Sequence, residues 1–283
     1  KEMEKRYKYY YFIGIGGIGM SAIARYFNSA GYSVSGYDRT PSALTARLEE
    51  EGISVHYEDD VSAIPKDKEN TFVIYTPAVP ADMGELRYVM EQGYNVCKRS
   101  RALGEIARGK KCLAVAGTHG KTTTSTLLAH LFTHSGEGCN AFLGGISRNY
   151  DSNLLLSSNP VLVAEADEFD RSFLQLYPDI AIITSADADH LDIYLDHSHL
   201  KDAFAEFASQ VKGDGFLVLR KGVKISLEKV SARILTYSYD TPADFYASDI
   251  VALDGGYFDF TLNTPEGRIE KCTLGIPGWI NVE

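Results

Sequence analysis

Gly120-Lys121-Thr122 stands between an apolar run, Lys111 to Ala116, and a segment that reads as a helix through about His134. At such a junction backbone amides cradle phosphates, a lysine offsets charge on the β and γ groups, and a threonine hydroxyl can ligate Mg²⁺. The loop departs from the general pattern GxxxxGK[ST], because Val115 occupies the leading position and the glycine falls at Gly117. A second glycine run, Gly14-Ile15-Gly16-Gly17-Ile18-Gly19, matches GxGxxG. It follows a strand signal at Tyr9 to Ile13 and precedes apolar residues at helical spacing from Met20 to Ala30. Its glycines would let amides approach a diphosphate at a helix N-terminus, and Asp38, ending the next strand, can accept a hydrogen bond from a ribose. The turn does not say which nucleotide, and a nicotinamide cofactor is the usual candidate.

Two acidic segments follow strands in the second half. Val161 to Ala164 runs into Glu165-Ala166-Asp167-Glu168, and Ile180 to Thr184 runs into Asp187-Ala188-Asp189-His190. In a parallel sheet the carboxyl ends of neighbouring strands lie on the phosphate-loop side, so these groups can reach a Mg²⁺ bound to ATP. His190, His197 and His199, with Asp192, fit no common zinc spacing, and two of them precede a helix.

The elements that must position these residues alternate. Beyond the first strand and helix, strands are expected at Ser33 to Tyr37 and Thr71 to Tyr75, with helices at Ala43 to Glu51 and Asp82 to Gln92, which favours a parallel, doubly wound sheet. The strand, loop, helix pattern restarts near Lys110. Leu200 to Val211 reads as an amphipathic helix with Phe204, Phe207 and Val211 on one side. From Ile234 to Leu274 shorter alternating strands turn at Gly255-Gly256 and at Thr264 to Gly267, which predicts an antiparallel edge.

Length and composition agree. The 283 residues suffice for about two domains, and 45% hydrophobic with 23% charged residues is an ordinary globular balance. A net charge of −10 offers nucleic acid or an anionic membrane no general attraction, so an anionic ligand needs a local site. Cys97, Cys112, Cys139 and Cys272 form no CxxC pair, which speaks against zinc ribbons and disulfide frameworks and for a reduced, cytoplasmic setting. No run reaches the roughly 18 apolar residues of a membrane span.

Taken in order, these residues resemble the Mur ligase family, ATP-dependent enzymes that build the peptide of the bacterial cell-wall precursor. The resemblance rests on Phe12 to Ser21, on Ala116 to Thr124 with its GTxGKTT loop, on Ala164 to Glu168 with Ser172-Phe173, and on Ala188 to Asp192. It is strongest to the branch that joins L-alanine to UDP-N-acetylmuramate. It implies a Rossmann-like UDP-sugar domain at 1–107 and a central P-loop α/β domain with the antiparallel edge at 108–283. No nicotinamide is then involved, because the first domain holds a different diphosphate.

By motif position, the resemblance implies that Gly117, Thr118, His119, Gly120, Lys121, Thr122, Thr123 and Asn281 contact ATP. Thr122 would ligate one Mg²⁺, and Glu165 and His190 a second, which makes Lys121, Glu165 and His190 the catalytic set. Gly14, Gly16, Gly17, Gly19, Met20, Ser21 and Asp38 would line the UDP-sugar, with Arg99, Asp167 and Glu168 on the muramate side. The implied reaction is attack of the lactoyl carboxylate on the γ-phosphate of ATP, then displacement of phosphate from the acyl phosphate by the amine of L-alanine. Ile280 departs from the family's PGxHN-type segment by replacing its histidine, and Ser185 stands where asparagine is more usual. The family also has a third domain that binds the amino acid, so a chain ending at Glu283 is expected to bind nucleotides without turning over alone. Alternatives are a recycling ligase that adds a tripeptide to the same sugar, an NAD-dependent oxidoreductase, and a non-enzymatic ATP-dependent switch.

Overall fold

The computed structural model describes residues 7–187 and 197–283, with His197 through its backbone alone. Packing divides the chain into two units, Lys1–Cys112 with Ser125–Glu165, and Leu113–Thr124 with Ala166–Glu283. Among the described residues no helix is long and apolar enough to cross a membrane.

The first unit opens with β1 (Tyr9–Ile13), α1 (Ile18–Ser29), β2 (Ser33–Tyr37), α2 (Ala43–Glu50), β3 (Ser54–His56), β4 (Thr71–Tyr75), α3 (Gly84–Glu91), β5 (Asn95–Lys98) and α4 (Arg99–Arg108). The five strands form one sheet in the order β3-β2-β1-β4-β5, with every neighbour parallel. The central strand β1 is buried from Tyr10 to Ile13. A strand covered on both faces reads as a continuous apolar run, which is why Tyr-Tyr-Tyr-Phe-Ile shows no alternation. Tyr10 stacks on Phe27 of α1 at 3.9 Å between ring centroids, with planes 9° apart, and so seats the helix that follows the glycine turn. α2 starts on a capping box, with the Ser42 hydroxyl accepting from the Thr45 amide and the Thr45 hydroxyl accepting from the Ser42 amide. Chain order reverses between β1 and β4, which puts the binding crevice of such a sheet outside the carboxyl ends of those strands.

β6 (Lys111–Ala116) and α5 (Lys121–His134) follow, and the chain continues in the first unit with β7 (Asn140–Ser147), β8 (Ser152–Leu155) and β9 (Val161–Ala166). β7 pairs antiparallel with β8 and parallel with β9. This hairpin packs on α1, where Tyr26 meets Phe142 at 5.6 Å. Asn153, fully buried, donates to the Ile18 carbonyl at 2.7 Å and the Ser21 hydroxyl at 2.9 Å, and accepts from Arg25 at 3.0 Å. Its amide is satisfied on both sides, as a buried polar group must be.

In the second unit β6 runs parallel to β10 (Ile180–Ile183), followed outward by β11 (Phe216–Arg220), β12 (Arg233–Ser238) and β13 (Phe245–Ala252), all parallel. β14 (Phe258–Thr264) and β15 (Gly267–Thr273) then add antiparallel. The expected antiparallel edge is present. It begins at β13, because β12 pairs parallel on both sides. α6 (His197–Ser209) ends two residues before the expected Val211, yet Phe204, Phe207 and Val211 are all buried. Phe207 stacks on Phe173 at 4.8 Å and Phe204 meets the same ring edge-on at 5.3 Å, which pins the segment after the first acidic motif. The last element, α7 (Trp279–Val282), presents a half-exposed Trp279 whose ring lies 5.4 Å from Tyr239.

Candidate functional site

In the first unit the glycine turn leaves β1 at Gly14, whose φ of +90° disfavours a side chain. The Gly14 and Ile15 amides both donate to the Tyr37 carbonyl of β2, at 2.8 and 2.9 Å. The Gly16 amide donates to Asp38 at 2.7 Å, and the other Asp38 oxygen accepts from Thr40 at 3.0 Å. Asp38, expected to face a ribose, therefore also fixes the turn. Gly17 caps α1 without a side-chain bond, and the first turn of the helix carries no acidic residue. A Cβ on Gly19 would come within 3.1 Å of Arg99, so this guanidinium lies over the first turn of α1. A positive side chain beside unshielded helix amides is an arrangement suited to a diphosphate. Met20 and Ser21, expected beside the same ligand, are buried, and the Ser21 hydroxyl is bonded to Ile18 and Asn153.

The same unit holds a buried polar cluster without a sequence signal. Glu85 is fully buried and accepts from the Tyr11 hydroxyl, while His56 lies 3.0 Å from its other oxygen. Burial first, and the Glu85 charge second, push the Tyr11 hydroxyl well above the ordinary tyrosine range. Glu165, at the end of β9, accepts from the Gly144 amide of β7. A Cβ at residue 144 would collide with that carboxylate, so a bare glycine is what admits Glu165 there.

In the second unit the loop after β6 is tied to the end of β10. Ser185 Oγ accepts from the His119 amide at 3.1 Å and lies 2.8 Å from Thr118 Oγ1. The Thr184 hydroxyl donates to the His119 and Ala116 carbonyls. Gly117 has φ +145° and would drive a Cβ into Thr184 Oγ1. Thr184 and Ser185 are the loop-holding residues, and sequence alone showed only that serine stood at 185. Lys121 donates to the Gly117 carbonyl at 2.7 Å and to Glu168 at 2.8 Å. Glu168, expected on the sugar side, is thus joined to the lysine. Asp167 accepts from the Phe169 amide at 3.0 Å. Thr122 and Thr123 are exposed at the start of α5.

A glycine-bent loop, a lysine and the Thr122 hydroxyl are the donor and acceptor types that a polyphosphate and Mg²⁺ require, since Mg²⁺ takes oxygen ligands. Glu165, described with the first unit, is by type an oxygen donor, and His190, Asp189 and Asp192 lie outside the described residues. Asn281 donates to the Pro277 carbonyl at 2.6 Å within its own segment, beside an exposed Ile280.

The description "Mur ligase family, catalytic domain" matches residues 9–111, and "Mur ligase middle domain" matches residues 115–283. A UDP-N-acetylmuramate–L-alanine ligase of Porphyromonas gingivalis is 54% identical over 279 residues, covering 96% of this chain and 61% of that protein. A ligase of the same name from Parabacteroides distasonis is 50% identical, with 96% and 60% covered. This chain therefore spans about three fifths of the length of these curated relatives. The solved UDP-N-acetylmuramate-alanine ligase of Thermotoga maritima superposes with a TM-score of 0.81 at 27% identity, covering 96% of this chain and 63% of that one. The UDP-N-acetylmuramate:L-alanyl-gamma-D-glutamyl-meso-diaminopimelate ligase of Neisseria meningitides gives 0.82 at 25% identity, with 97% and 90% covered.

Proposed function

We propose, from the premise that this chain belongs to the Mur ligase family, that it forms the UDP-sugar-binding and ATP-binding part of an enzyme that joins L-alanine to UDP-N-acetylmuramate. The observation that carries this reading is 54% identity, across 96% of the chain, to a protein named for that reaction. The domain boundary falls at 107/108, so that the Asp38-held turn belongs to the sugar domain and the Lys121 loop to the ATP domain. The setting is the bacterial cytoplasm.

The Gly16 and Gly19 turn, with Arg99 over it, would hold the diphosphate of the sugar nucleotide. Lys121 and the amides of the 117–120 loop would hold the ATP phosphates and draw charge from the γ group as the lactoyl carboxylate attacks it. Attack releases ADP and leaves an acyl phosphate, whose phosphate the amine of L-alanine then displaces. Two anions must meet for the first step, so the positive charge of Lys121 lowers the barrier most where negative charge concentrates. Thr122, Glu165 and His190 would hold Mg²⁺, which supplies further positive charge to the polyphosphate.

The test is phosphate release by the full-length protein given ATP, Mg²⁺ and UDP-N-acetylmuramate, with and without L-alanine. Dependence on L-alanine is expected, and Lys121→Ala abolishes release while the far-ultraviolet dichroism is unchanged. Release that ignores L-alanine refutes the reading. The structural likeness to the tripeptide-adding ligase favours one competitor, and release driven by that tripeptide and not by L-alanine would establish it.

A further inference from the structure

Lys121 is bonded within its own unit. Its ammonium donates to Gly117 and to Glu168, and the two side chains of the ion pair are largely buried, at 19% and 16% exposure. Two long side chains on open surface meet only transiently, but this pair is built in. Glu168 directly precedes the segment 169–175, in which Asp170 and Arg171 hold left-handed φ values of 49° and 55°. Non-glycine residues keep that conformation only where the surroundings impose it. Here Phe173 is clamped by Phe204 and Phe207, and the Phe173 amide donates to the Asp167 carbonyl at 2.9 Å. A constrained backbone therefore delivers the Glu168 carboxylate to the lysine.

A lysine ammonium is one positive charge with three donors. A phosphoryl oxygen arriving at Lys121 competes with the carboxylate for that charge, and the two anions repel each other if both remain in contact with it. Resting on the assignment of this loop to ATP, we propose that Glu168 is the resting counter-ion of Lys121, positioning it over the loop, and that a polyphosphate displaces the carboxylate on binding. The exchange raises the charge density that a ligand must bring to occupy the loop. It also means that nucleotide arrival frees the Glu168 carboxylate, while the backbone that carries it stays held through Phe173.

The experiment measures binding of ATP, and of inorganic tripolyphosphate as a second probe, by calorimetry without Mg²⁺. Removing the competing charge-assisted bond in Glu168→Gln should tighten binding of both probes about tenfold. Glu168→Asp, which withdraws the carboxylate by one methylene, should shift binding in the same direction and serves if the glutamine variant folds poorly. In a Lys121→Met background the gain should shrink below about twofold, since the competition no longer exists. A wild type that binds ATP beside a Glu168→Gln that binds no tighter overturns this proposal and leaves the ATP assignment standing. A gain of equal size in the Lys121→Met background also overturns it, by showing only a general charge effect. Failure of the wild type and both Glu168 variants to bind either probe overturns the ATP assignment and this proposal together.

Discussion

The Asp38 carboxylate accepts the Gly16 amide at 2.7 Å, which ties the carboxyl end of β2 to the middle of the glycine turn after β1. A charge-assisted bond of this kind contributes roughly 1.5–3 kcal/mol, enough to help fix the shape of a glycine-rich turn that the buried Ile15 anchors at one side. Asp38→Ala should weaken UDP binding, measured by calorimetry, by about tenfold or more. Asp38→Asn retains a carbonyl acceptor for Gly16 and should recover part of the loss. Equal affinities across all three proteins would show that the turn keeps its shape unaided.

Gly117→Ala places a methyl group against Thr184 Oγ1 at a backbone angle of +145°. Both effects act on the same loop, so ATP binding should be lost. Thermal stability should fall by about 1–3 kcal/mol at most, because the strained position is local. Retained ATP affinity in a folded Gly117→Ala protein would contradict the loop geometry.

Asn153→Leu removes the donor to the Ile18 carbonyl and the acceptor for Arg25 from a buried site. Ile18 keeps Ser21 and Arg25 keeps Ser152 as partners, so the cost is that of the lost bonds to Ile18, Ser21 and Arg25, about 1 kcal/mol each. Urea unfolding should show a loss of about 3 kcal/mol. Ser21→Ala, which removes one hydroxyl from the same cluster, should lose about 1 kcal/mol.

Burial pushes the Cys97 thiol up to about 12 and the Cys139 thiol up to about 11, from an ordinary value of 9.0. The folded protein keeps these protons where an unfolded chain loses them. Their contribution to stability is therefore complete below about pH 9 and declines as pH rises through 11 to 12. With an aromatic disulfide reagent at pH 8, Cys272, which is partly exposed, should react first. Cys97, Cys112 and Cys139 should react only when urea opens the fold. Rapid modification of all four thiols in the native protein would refute the burial of the other three.

The two strand, glycine loop, helix units were legible residue by residue, because buried parallel strands are unbroken apolar runs and their loops carry the glycines that phosphate chemistry needs. β1 and β6 fall on the expected residues. The β7 and β8 hairpin gave no such signal. β7 contains Gly144 and Gly145, and β8 begins Ser152-Asn153, compositions that become strand only through the neighbours they pair with. β5 and α4 were hidden similarly, since Asn-Val-Cys-Lys is too short to show a period and α4 opens on Arg-Ser-Arg. In the candidate site, residue types were readable and partnerships were not. Lys121 and Glu168 are 47 residues apart in sequence, and the two contacts of Ser185 exist only once β10 lies beside β6.

Trp279 has a spectroscopic consequence. The chain has one tryptophan and eighteen tyrosines, and that indole sits half-exposed on the short final helix beside Tyr239. Light absorbed selectively by tryptophan therefore reports on this helix, while tyrosine emission comes from residues spread through both units. One fluorophore thus has a single address and the other is distributed over the fold. A denaturation followed at both wavelengths would show whether this helix lets go before the rest of the fold does.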